Sequence, residues 1–270
     1  MRSCLPLIVE PAELEAQLGA IDLLIVDLCR PELYRQGHIR GAVHLHYTQL
    51  VAVRPPVMGL VPSDEQLIKV LGALGLTTDT FVVAYDDEGG GCAARLLWTL
   101  EVVGHPHYAL LDGGLHAWAA EQRPLSADAV TPNPSDYLVT VQGGPVANKE
   151  YILEHLSDPK VVLVDTRSPA EYSGVNQRAQ RAGHIPGAVN FDWVNAMDRS
   201  RGLRLRPQAE LREELVSMGI TPDKEIITYC HTHHRSAHTY MVLKSLDYPN
   251  IKSYPGSWSE WGNSADTPVE

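Results

Sequence analysis

The two halves of the chain carry the same series of motifs in the same order. In each half, an apolar run that contains an aspartate is followed by Pro-Xaa-Xaa-Tyr and then by Gly-His-Ile-Xaa-Gly-Ala-Val. Asp27 and His38 stand in the first series, and Asp165 and His184 stand in the second. Two long units of this kind indicate a tandem duplication, whereas a solenoid repeats many short units. The chain is therefore expected to fold as two similar domains.

A third motif and a change in composition indicate the limits of these domains. Residues 111–118 parallel residues 254–261, because each run contains a glycine, ends in a tryptophan and has a proline after it. Residues 126–144 hold two prolines and end in a Gly-Gly pair, a composition typical of a linker. We predict a first domain at 1–125, a linker at 126–144 and a second domain at 145–270.

Within each copy, short apolar runs alternate with segments whose apolar residues recur at helical spacing. Apolar strands that are each followed by a helix are typical of a parallel sheet covered on both faces. The predicted fold is therefore α/β, with two similar domains that are each a doubly wound, mainly parallel sheet with helices on both faces. In the second copy, helices are predicted at 149–156, 207–218 and 236–246, and strands at 161–165, 226–229 and 251–254.

Composition and charge exclude several classes of function. The 270 residues are 44% hydrophobic and 20% charged, which indicates globular domains rather than disorder. The net charge of −11 argues against nucleic-acid and membrane partners, because both are anionic. No apolar run approaches the ~20 residues of a membrane-spanning helix. Residues 1–10 do not resemble a signal peptide, so we expect a cytoplasmic protein.

Cysteine usage agrees with a reducing compartment. Four cysteines without a Cys-Xaa-Xaa-Cys pair do not form a disulfide framework of the kind found in secreted proteins. Cys4, Cys29 and Cys92 lack a surrounding cluster of histidines and arginine, and we expect them to be structural or incidental.

One cysteine stands in surroundings that favour its thiolate. Cys230 follows the predicted strand 226–229, and a polar loop with three histidines and an arginine leads to the predicted helix 236–246. Backbone N–H groups, the positive end of the helix dipole, Arg235 and the imidazoles each favour S⁻ over SH. Ligands bind beyond the carboxyl ends of parallel strands, which is where this cysteine lies. Cys230 is therefore predicted to be a nucleophile that forms a covalent intermediate.

Two simpler interpretations of Cys230 remain alternatives. An ordinary buried thiol is the commoner fate of a cysteine, but the flanking histidines and arginine argue against it. The cluster also contains donors for zinc or copper in Cys230, His231, His233 and His234. Four donors within five residues do not readily wrap a tetrahedral ion, so neither a metal nor another cofactor is predicted.

Together the motifs resemble those of the rhodanese family in its tandem, two-domain form. The resemblance rests on residues 183–188, residues 254–261 and the cysteine loop, and it covers both halves of the chain. The loop 230–236 is similar to the Cys-Gln-Thr-His-His-Arg-Ser loop of bacterial two-domain rhodaneses, with His231 at the glutamine position. Members of the family transfer a sulfane sulfur from a donor to a cysteine, as a persulfide, and then to a thiophilic acceptor.

This resemblance implies roles for the residues of the loop and for partners. Cys230 is the implied catalytic residue, and the donor is a small anion such as thiosulfate, because family members that use 3-mercaptopyruvate have smaller, less basic loops. Cyanide or a thiol is the implied acceptor. A 3-mercaptopyruvate sulfurtransferase and a persulfide carrier for a biosynthetic partner protein are the alternatives. The implied substrate-binding residues are His231, Thr232, His233, His234, Arg235 and Ser236.

Loop length separates this reaction from phosphate chemistry. Four residues lie between Cys230 and Arg235, whereas tyrosine phosphatases and their relatives of this fold have five. The shorter loop encloses something close to one sulfur atom. Sulfur transfer is therefore favoured over a phosphatase or an arsenate reductase.

The first copy is expected to be inert. Alignment of residues 81–85 with 225–229 places Asp86 at the position of Cys230, and an aspartate does not carry sulfur. The acidic loop 86–91 should also repel anionic donors.

Other residues that recur in both copies are expected to be structural, because the copy that is expected to be inert holds them as well. His38 and His184 belong to this group, as do the strand-end residues Asp27 and Asp165. Arg167 either reaches the active-site loop or pairs with Glu171, which stands where some thiosulfate-active family members have a basic residue that contacts the donor. The tryptophans expected in the domain cores and interface are Trp118, Trp258 and Trp261.

Overall fold

A computed structural model describes residues 5–139 and 141–270, and Cys4 lies outside these described residues. The strands are β1 Ile8–Val9, β2 Leu23–Asp27, β3 Val43–His44, β4 Ala52–Arg54, β5 Val57–Leu60, β6 Phe81–Tyr85, β7 Tyr108–Leu111, β8 Val161–Asp165, β9 Val189–Asn190, β10 Met197–Asp198, β11 Arg204–Leu205, β12 Glu225–Tyr229 and β13 Ile251–Ser253. The helices are α1 Pro11–Glu15, α2 Pro31–Gln36, α3 Asp64–Ala73, α4 Gly91–Val102, α5 Gly114–Ala120, α6 Lys149–His155, α7 Pro169–Tyr172, α8 Gln208–Ser217, α9 Arg235–Ser245 and α10 Ser257–Trp261. Short 3₁₀ helices lie at Tyr47–Leu50, Trp193–Ala196 and Arg199–Arg201.

The chain folds into two compact units that each contain one parallel sheet. In the first unit the strand order is β1-β7-β6-β2-β3, and in the second it is β13-β12-β8-β9. All pairings within these two sheets are parallel. Because parallel strands need crossover connections, helices occupy the chain between them. The predicted class, two similar α/β domains with mainly parallel sheets and flanking helices, is confirmed.

Each unit includes a segment from beyond the predicted domain limits. The hairpin of β4 and β5, within residues 51–61, belongs to the second unit, and residues 198–205 belong to the first. Residues 126–142 that the structure describes group with the first unit as well. The division into 1–125 and 145–270 stays a prediction about the extent of the two sequence repeats. The predicted division does not include this exchange of segments between the units, because the repeat pattern gives no sign of it.

Most elements of the second copy lie where the periodicity predicts them. Strand β8 matches its prediction at both ends, and β12 begins one residue earlier than predicted. Helix α9 is shifted by one residue towards its amino end, so that it begins at Arg235. Pro207 is the N-cap of α8 rather than a first-turn residue, and the helix is followed by Gly219, whose φ of 79° suits glycine.

The repeated Gly-His-Ile motif has the same structural role in both units. His184 is stacked on Tyr172 with ring centroids 3.7 Å apart, and its Nδ1 lies 3.0 Å from the Tyr172 carbonyl oxygen. His38 and Tyr34 make the same arrangement, at 4.0 Å and 2.9 Å. Each tyrosine hydroxyl also donates to the carbonyl of the alanine in the motif. The predicted structural role of these histidines is confirmed.

A buried hydrophobic core packs against the sheet of each unit and includes the tryptophans of the repeated motifs. In the second unit, the buried tryptophans Trp258 and Trp261 pack with residues of β8 and β12. Trp118 takes the same place in the first unit. The indole nitrogens of Trp118 and Trp261 donate to the carbonyls of the prolines that follow them, Pro124 and Pro268. The prediction that these tryptophans pack in domain cores is confirmed.

Arg167 is a buried structural cation, and its partner differs from the predicted one. Its side chain is 1% exposed and donates to the carboxylate of Asp165, at 2.5 Å from Nη2 and 2.9 Å from Nε. The guanidinium also donates to the Gly183 carbonyl and lies 4.5 Å from the ring centroid of Trp258. The proposed pairing of Arg167 with Glu171 is therefore wrong. Asp165 stands two residues before Arg167 at the end of β8, so its carboxylate is the nearer partner for the guanidinium.

Among residues 5–139 and 141–270, no helix combines the length and the apolar character needed to cross a bilayer.

We predict that Arg167→Met lowers the free energy of unfolding by about 3–5 kcal/mol, because it leaves the buried Asp165 carboxylate without its counter-ion. Urea denaturation followed by tryptophan fluorescence measures the change. Lys160→Met is the control, since Lys160 is exposed just before β8 and its loss should cost less than about 0.5 kcal/mol. Equal effects of the two substitutions would show that the Arg167 pair does not stabilise the unit.

Candidate active site

Cys230 lies at the carboxyl end of a central strand. It directly follows β12, which pairs with β8 on one side and β13 on the other. Helix α9 begins at Arg235, so residues 230–234 form a tight connection between strand and helix. Cys230 is only 1% exposed. A thiolate in this position has little contact with water and needs stabilisation by the protein.

Groups at the start of α9 supply that stabilisation. Burial alone would raise the pKa of Cys230, but the charge of Arg235, the N–H and hydroxyl of Ser236 and the charge of His234 more than offset it. The resulting pKa of Cys230 is about 7, below the ordinary value of 9.0. Arg235 also donates a hydrogen bond to the sulfur. Near neutral pH a large fraction of Cys230 is therefore the nucleophilic thiolate.

Helix α10 holds the first two residues of the loop by their backbone. The Cys230 N–H donates to the Ser257 hydroxyl at 3.2 Å. The N–H groups of Trp258 and Ser259 donate to the carbonyls of Cys230 and His231, each at 3.0 Å. Because these hydrogen bonds hold the carbonyls of Cys230 and His231, they also orient the peptide groups of the loop and the direction of its other N–H groups.

Two of the loop histidines support other groups. His233 is fully buried with a φ of 54°, and its Nδ1 lies 2.8 Å from the Ser236 hydroxyl oxygen. It therefore orients a residue that bonds the Cys230 sulfur. His234 is half-buried against Trp193, with ring centroids 5.7 Å apart.

His231 and Thr232 are half-buried and adjoin the cysteine. Burial, with the neighbouring charge of Arg235, lowers the pKa of His231, so its imidazole is neutral near pH 7. Its Nδ1 is buried and has no hydrogen-bond partner among residues 5–139 and 141–270. Of the six predicted substrate-binding residues, His233 and Ser236 are buried and the other four are half-buried.

Glu171 is a site residue whose contact the sequence did not predict. Its carboxylate accepts two hydrogen bonds from Arg235, at 2.6 Å and 3.0 Å, and its side chain is 3% exposed. Burial opposes the charge, but the Arg235 hydrogen bonds and Ser168 lower the pKa of Glu171 to about 2. A Ser-Xaa-Xaa-Glu capping box, Ser168 to Glu171, is visible in the sequence. It predicts the start of α7 but gives no sign of the distant arginine.

The β4–β5 hairpin is a second feature that sequence reasoning missed. Gly59 has a φ of 83°, and a Cβ atom there would overlap the carbonyl of Thr232. The backbone of Met58 exchanges hydrogen bonds with the Ser259 hydroxyl, both at 3.0 Å. A segment far from Cys230 in sequence therefore packs directly on the cysteine loop. A glycine in an otherwise apolar strand was the available signal.

In the first unit, the equivalent loop is filled by its own carboxylate. Asp86 is fully buried and accepts hydrogen bonds from the N–H groups of Glu88, Gly90 and Ala93 at 2.8–3.0 Å. Burial and the nearby charge of Glu88 raise its pKa to about 6, against the effect of these backbone bonds. The amide cradle that a sulfur or oxyanion would need is occupied by the side chain of the loop itself. That the first copy is inert stays a prediction.

A cavity of about 400 Å³ lies beside this acidic loop in the first unit. Burial raises the pKa of the cysteine thiols that line it, so they are poor nucleophiles. The lining residues are Leu28, Cys29, Arg30, Pro31, His46, Tyr47, Asp87, Glu88 and Cys92.

The absence of a metal from the cysteine loop stays a prediction. Of the four donors named for the metal alternative, His233 has its Nδ1 2.8 Å from the Ser236 hydroxyl oxygen.

Comparison with known protein families decides the family of the chain. The model of the rhodanese-like domain matches twice, at residues 10–121 and 148–264. The chain belongs to the rhodanese family. The two matches correspond to the two predicted repeats, so the predicted membership of the tandem form is confirmed.

Curated relatives of this rhodanese match over nearly their whole length. A thiosulfate sulfurtransferase of Azotobacter vinelandii is 47% identical over 98% of this chain and 97% of its own. A protein of the same name from Pseudomonas aeruginosa is 46% identical over 99% and 98%. The sulfur carrier protein TtuD of Thermus thermophilus is 37% identical over 88% and 86%.

Solved structures share the fold of this rhodanese. The crystal structure of YnjE has a TM-score of 0.86 at 23% identity, over 97% of this chain and 68% of that one. A complex of EanB with ergothioneine has a TM-score of 0.86 at 21% identity, over 98% and 70%. At this level of identity the likeness concerns the fold alone.

We predict that alkylation of Cys230 by iodoacetamide rises with pH around a midpoint near 7 and levels off above about pH 8, because only the thiolate reacts. Peptide mass spectrometry across pH 5–10 separates Cys230 from the other cysteines. Arg235→Gln removes the stabilising charge and should move the midpoint towards 9.0, while Arg212→Gln on α8 should leave it unchanged. A wild-type midpoint near 9.0 would show that the loop does not stabilise the thiolate.

We also predict that Gly59→Ala displaces the cysteine loop, since the new Cβ overlaps the Thr232 carbonyl. The Cys230 alkylation midpoint should rise by about 1 pH unit as Ser236 and Arg235 move away, a change worth about 1.4 kcal/mol. Gly219→Ala is the matched control, because Gly219 has a similar φ of 79° but open space around its Cβ position. If both variants shift the midpoint equally, backbone strain rather than loop contact is responsible.

Proposed function

We propose that this rhodanese is a thiosulfate sulfurtransferase that carries the transferred sulfur as a persulfide on Cys230. The observation that carries the proposal is a buried thiol with a pKa of about 7, bonded by Arg235 and by Ser236 at a helix start. The names of the two relatives at 46–47% identity support thiosulfate as the donor. A loop of bulky and basic residues supports it as well, since the family members that use 3-mercaptopyruvate have small loops.

In the first half-reaction, the Cys230 thiolate attacks the outer sulfur of thiosulfate. A sulfur–sulfur bond forms to Cys230, the bond to the sulfonate group breaks, and sulfite leaves with the electron pair. The negative charge that stays on the persulfide is stabilised by the Ser236 N–H and by Arg235, which already bond the thiolate. Little reorganisation is needed, because the same donors serve both states.

In the second half-reaction, a thiophilic anion attacks the terminal sulfur of the persulfide. Cyanide leaves as thiocyanate, or a thiolate leaves as a new persulfide, and the electron pair of the broken bond returns to Cys230. We assign the half-buried residues His231, Thr232 and His234 to the contacts with donor and acceptor. Neutral His231 offers a hydrogen-bonding group there without adding charge. We assign His233 a supporting role through Ser236.

A persulfide carrier is the second candidate, and the 37% identity to the sulfur carrier protein TtuD favours it. In that case the Cys230 persulfide is the product, and a biosynthetic protein takes its sulfur. The two candidates share the first half-reaction and differ in the acceptor. A phosphatase is disfavoured by the four-residue spacing from Cys230 to Arg235.

We place this activity in the cytoplasm and assign it no nucleic-acid or membrane partner. A catalytic thiolate requires reducing surroundings, and Cys29, Cys92 and Cys230 are free thiols. A chain of net charge −11 repels polyanions.

We predict that thiosulfate treatment adds one sulfur atom to the intact protein, and that Cys230→Ala abolishes the addition. Cys92→Ser is the matched control and should retain it, because the Cys92 thiol is not activated. Intact-mass spectrometry measures the addition, and thiocyanate formation measures turnover. Sulfur uptake without turnover on cyanide or small thiols favours the carrier. Full turnover in Cys230→Ala would overturn both candidates, and a strong preference for 3-mercaptopyruvate would overturn the assignment of the donor.

A further inference from the structure

The pair of Glu171 and Arg235 has a consequence for the charge of the site. Both terminal nitrogens of Arg235 donate to the Glu171 carboxylate. Ser168 donates to the same carboxylate through its hydroxyl and its N–H, at 3.0 Å and 3.3 Å. Because the charge of Arg235 also lowers the pKa of Cys230, one guanidinium acts on two anions. Its position is fixed and its charge is already offset.

The carboxylate stays charged throughout the working pH range. Arg235 and Ser168 outweigh burial and lower the pKa of Glu171 to about 2. Arg178 contacts it as well, at 3.3 Å, but this side chain is 56% exposed and its charge is screened by water. The buried groups around the sulfur therefore comprise a thiolate, a cation and a carboxylate. Any anionic donor approaches a cation that is already paired.

The first copy indicates that the carboxylate is not needed to build this corner of the fold. Alignment of the Pro-Xaa-Xaa-Tyr segments places Leu33 at the position of Glu171. Helix α2 forms there, and Tyr34 still stacks on its histidine. The carboxylate thus appears only in the copy that has the reactive cysteine.

We propose that Glu171 is a specificity-determining residue that holds Arg235 in place and weakens the binding of doubly charged sulfur donors more than that of singly charged ones. Thiosulfate carries two negative charges, whereas an organic thiosulfonate or an alkyl persulfide carries one. Coulomb repulsion from Glu171 scales with the donor charge, so it acts twice as strongly on thiosulfate. This inference rests on the proposed sulfur transfer from thiosulfate and names a residue that sets how strongly the site distinguishes donors by charge.

The two donors allow the same chemistry to be compared. With benzenethiosulfonate, the Cys230 thiolate attacks the outer sulfur, the sulfur–sulfur bond breaks, and benzenesulfinate leaves with the electron pair. The enzyme-bound persulfide is the same as that formed from thiosulfate. Differences between the donors therefore arise before or during the first half-reaction.

The test is steady-state kinetics of wild type, Glu171→Gln and Glu171→Asp with both donors and cyanide as the acceptor. In Glu171→Gln, the KM for thiosulfate should fall about tenfold and that for benzenethiosulfonate about threefold, because the removed charge acts on two charges and on one. Glu171→Asp keeps the charge and should keep the wild-type ratio of the two KM values, even if kcat falls. Added salt should reduce the effect of Glu171→Gln.

Two further variants separate charge from fold. Glu171→Leu carries the side chain of the first copy and should shift the KM ratio in the same direction as Glu171→Gln. Glu213→Gln removes an exposed carboxylate from α8 and should leave the ratio unchanged. An alkylation midpoint of Cys230 below that of wild type in Glu171→Gln would confirm the change of local charge without any turnover.

An unchanged KM ratio in both Glu171→Gln and Glu171→Leu would overturn the inference. So would a higher KM for thiosulfate in both, because the carboxylate would then serve only to hold Arg235. If the wild type takes sulfur from neither donor, the proposed function is contradicted instead. The alkylation midpoints would still report whether Glu171 sets the charge at Cys230.

Discussion

A negative charge held on a nearly inaccessible sulfur is the constraint on which the candidate site depends. Burial at the end of β12 opposes ionisation of Cys230, and only the grouped donors at the start of α9 reverse that effect. Those donors need support in turn. Glu171 holds Arg235, His233 orients Ser236, and α10 fixes the loop backbone through its first N–H groups. Each supporting contact comes from a different part of the second unit. The reactivity of the Cys230 thiol therefore depends on how all of these parts pack around the loop.

The two copies meet the same requirement in different ways. A loop between a parallel strand and a helix gathers backbone N–H groups that favour an anion. In the second copy that anion is the Cys230 thiolate, and in the first it is the side chain of Asp86, which belongs to the loop itself. The stacked tyrosine and histidine pairs and the buried tryptophans are shared, because both folds need them. The two copies thus share the scaffold and differ in the loop residue, which is Cys230 in the second copy and Asp86 in the first.

Sequence patterns predicted the parts of this architecture that depend on local periodicity. Strands β8 and β12 and helix α9 lie within one residue of their predicted limits, since apolar runs and helical spacing are local signals. Contacts between distant residues were predicted less well. Glu171 pairs with Arg235, 64 residues away, rather than with Arg167, and the hairpin at 51–61 belongs to the second unit. Neither fact leaves a periodic signal, because each depends on which surfaces meet when the chain folds.

By itself, the sequence determined the duplication, the α/β class, the family and the position of the reactive cysteine at a strand end. These follow from repeated motifs and from the order of residue types along the chain. The tertiary structure decided which charges surround that cysteine. Arg235 faces Glu171 from 64 residues away in sequence, and Gly59 makes room for the Thr232 carbonyl. Electrostatic energy depends on distance in space and on burial, and neither is encoded in the spacing of residues along a chain.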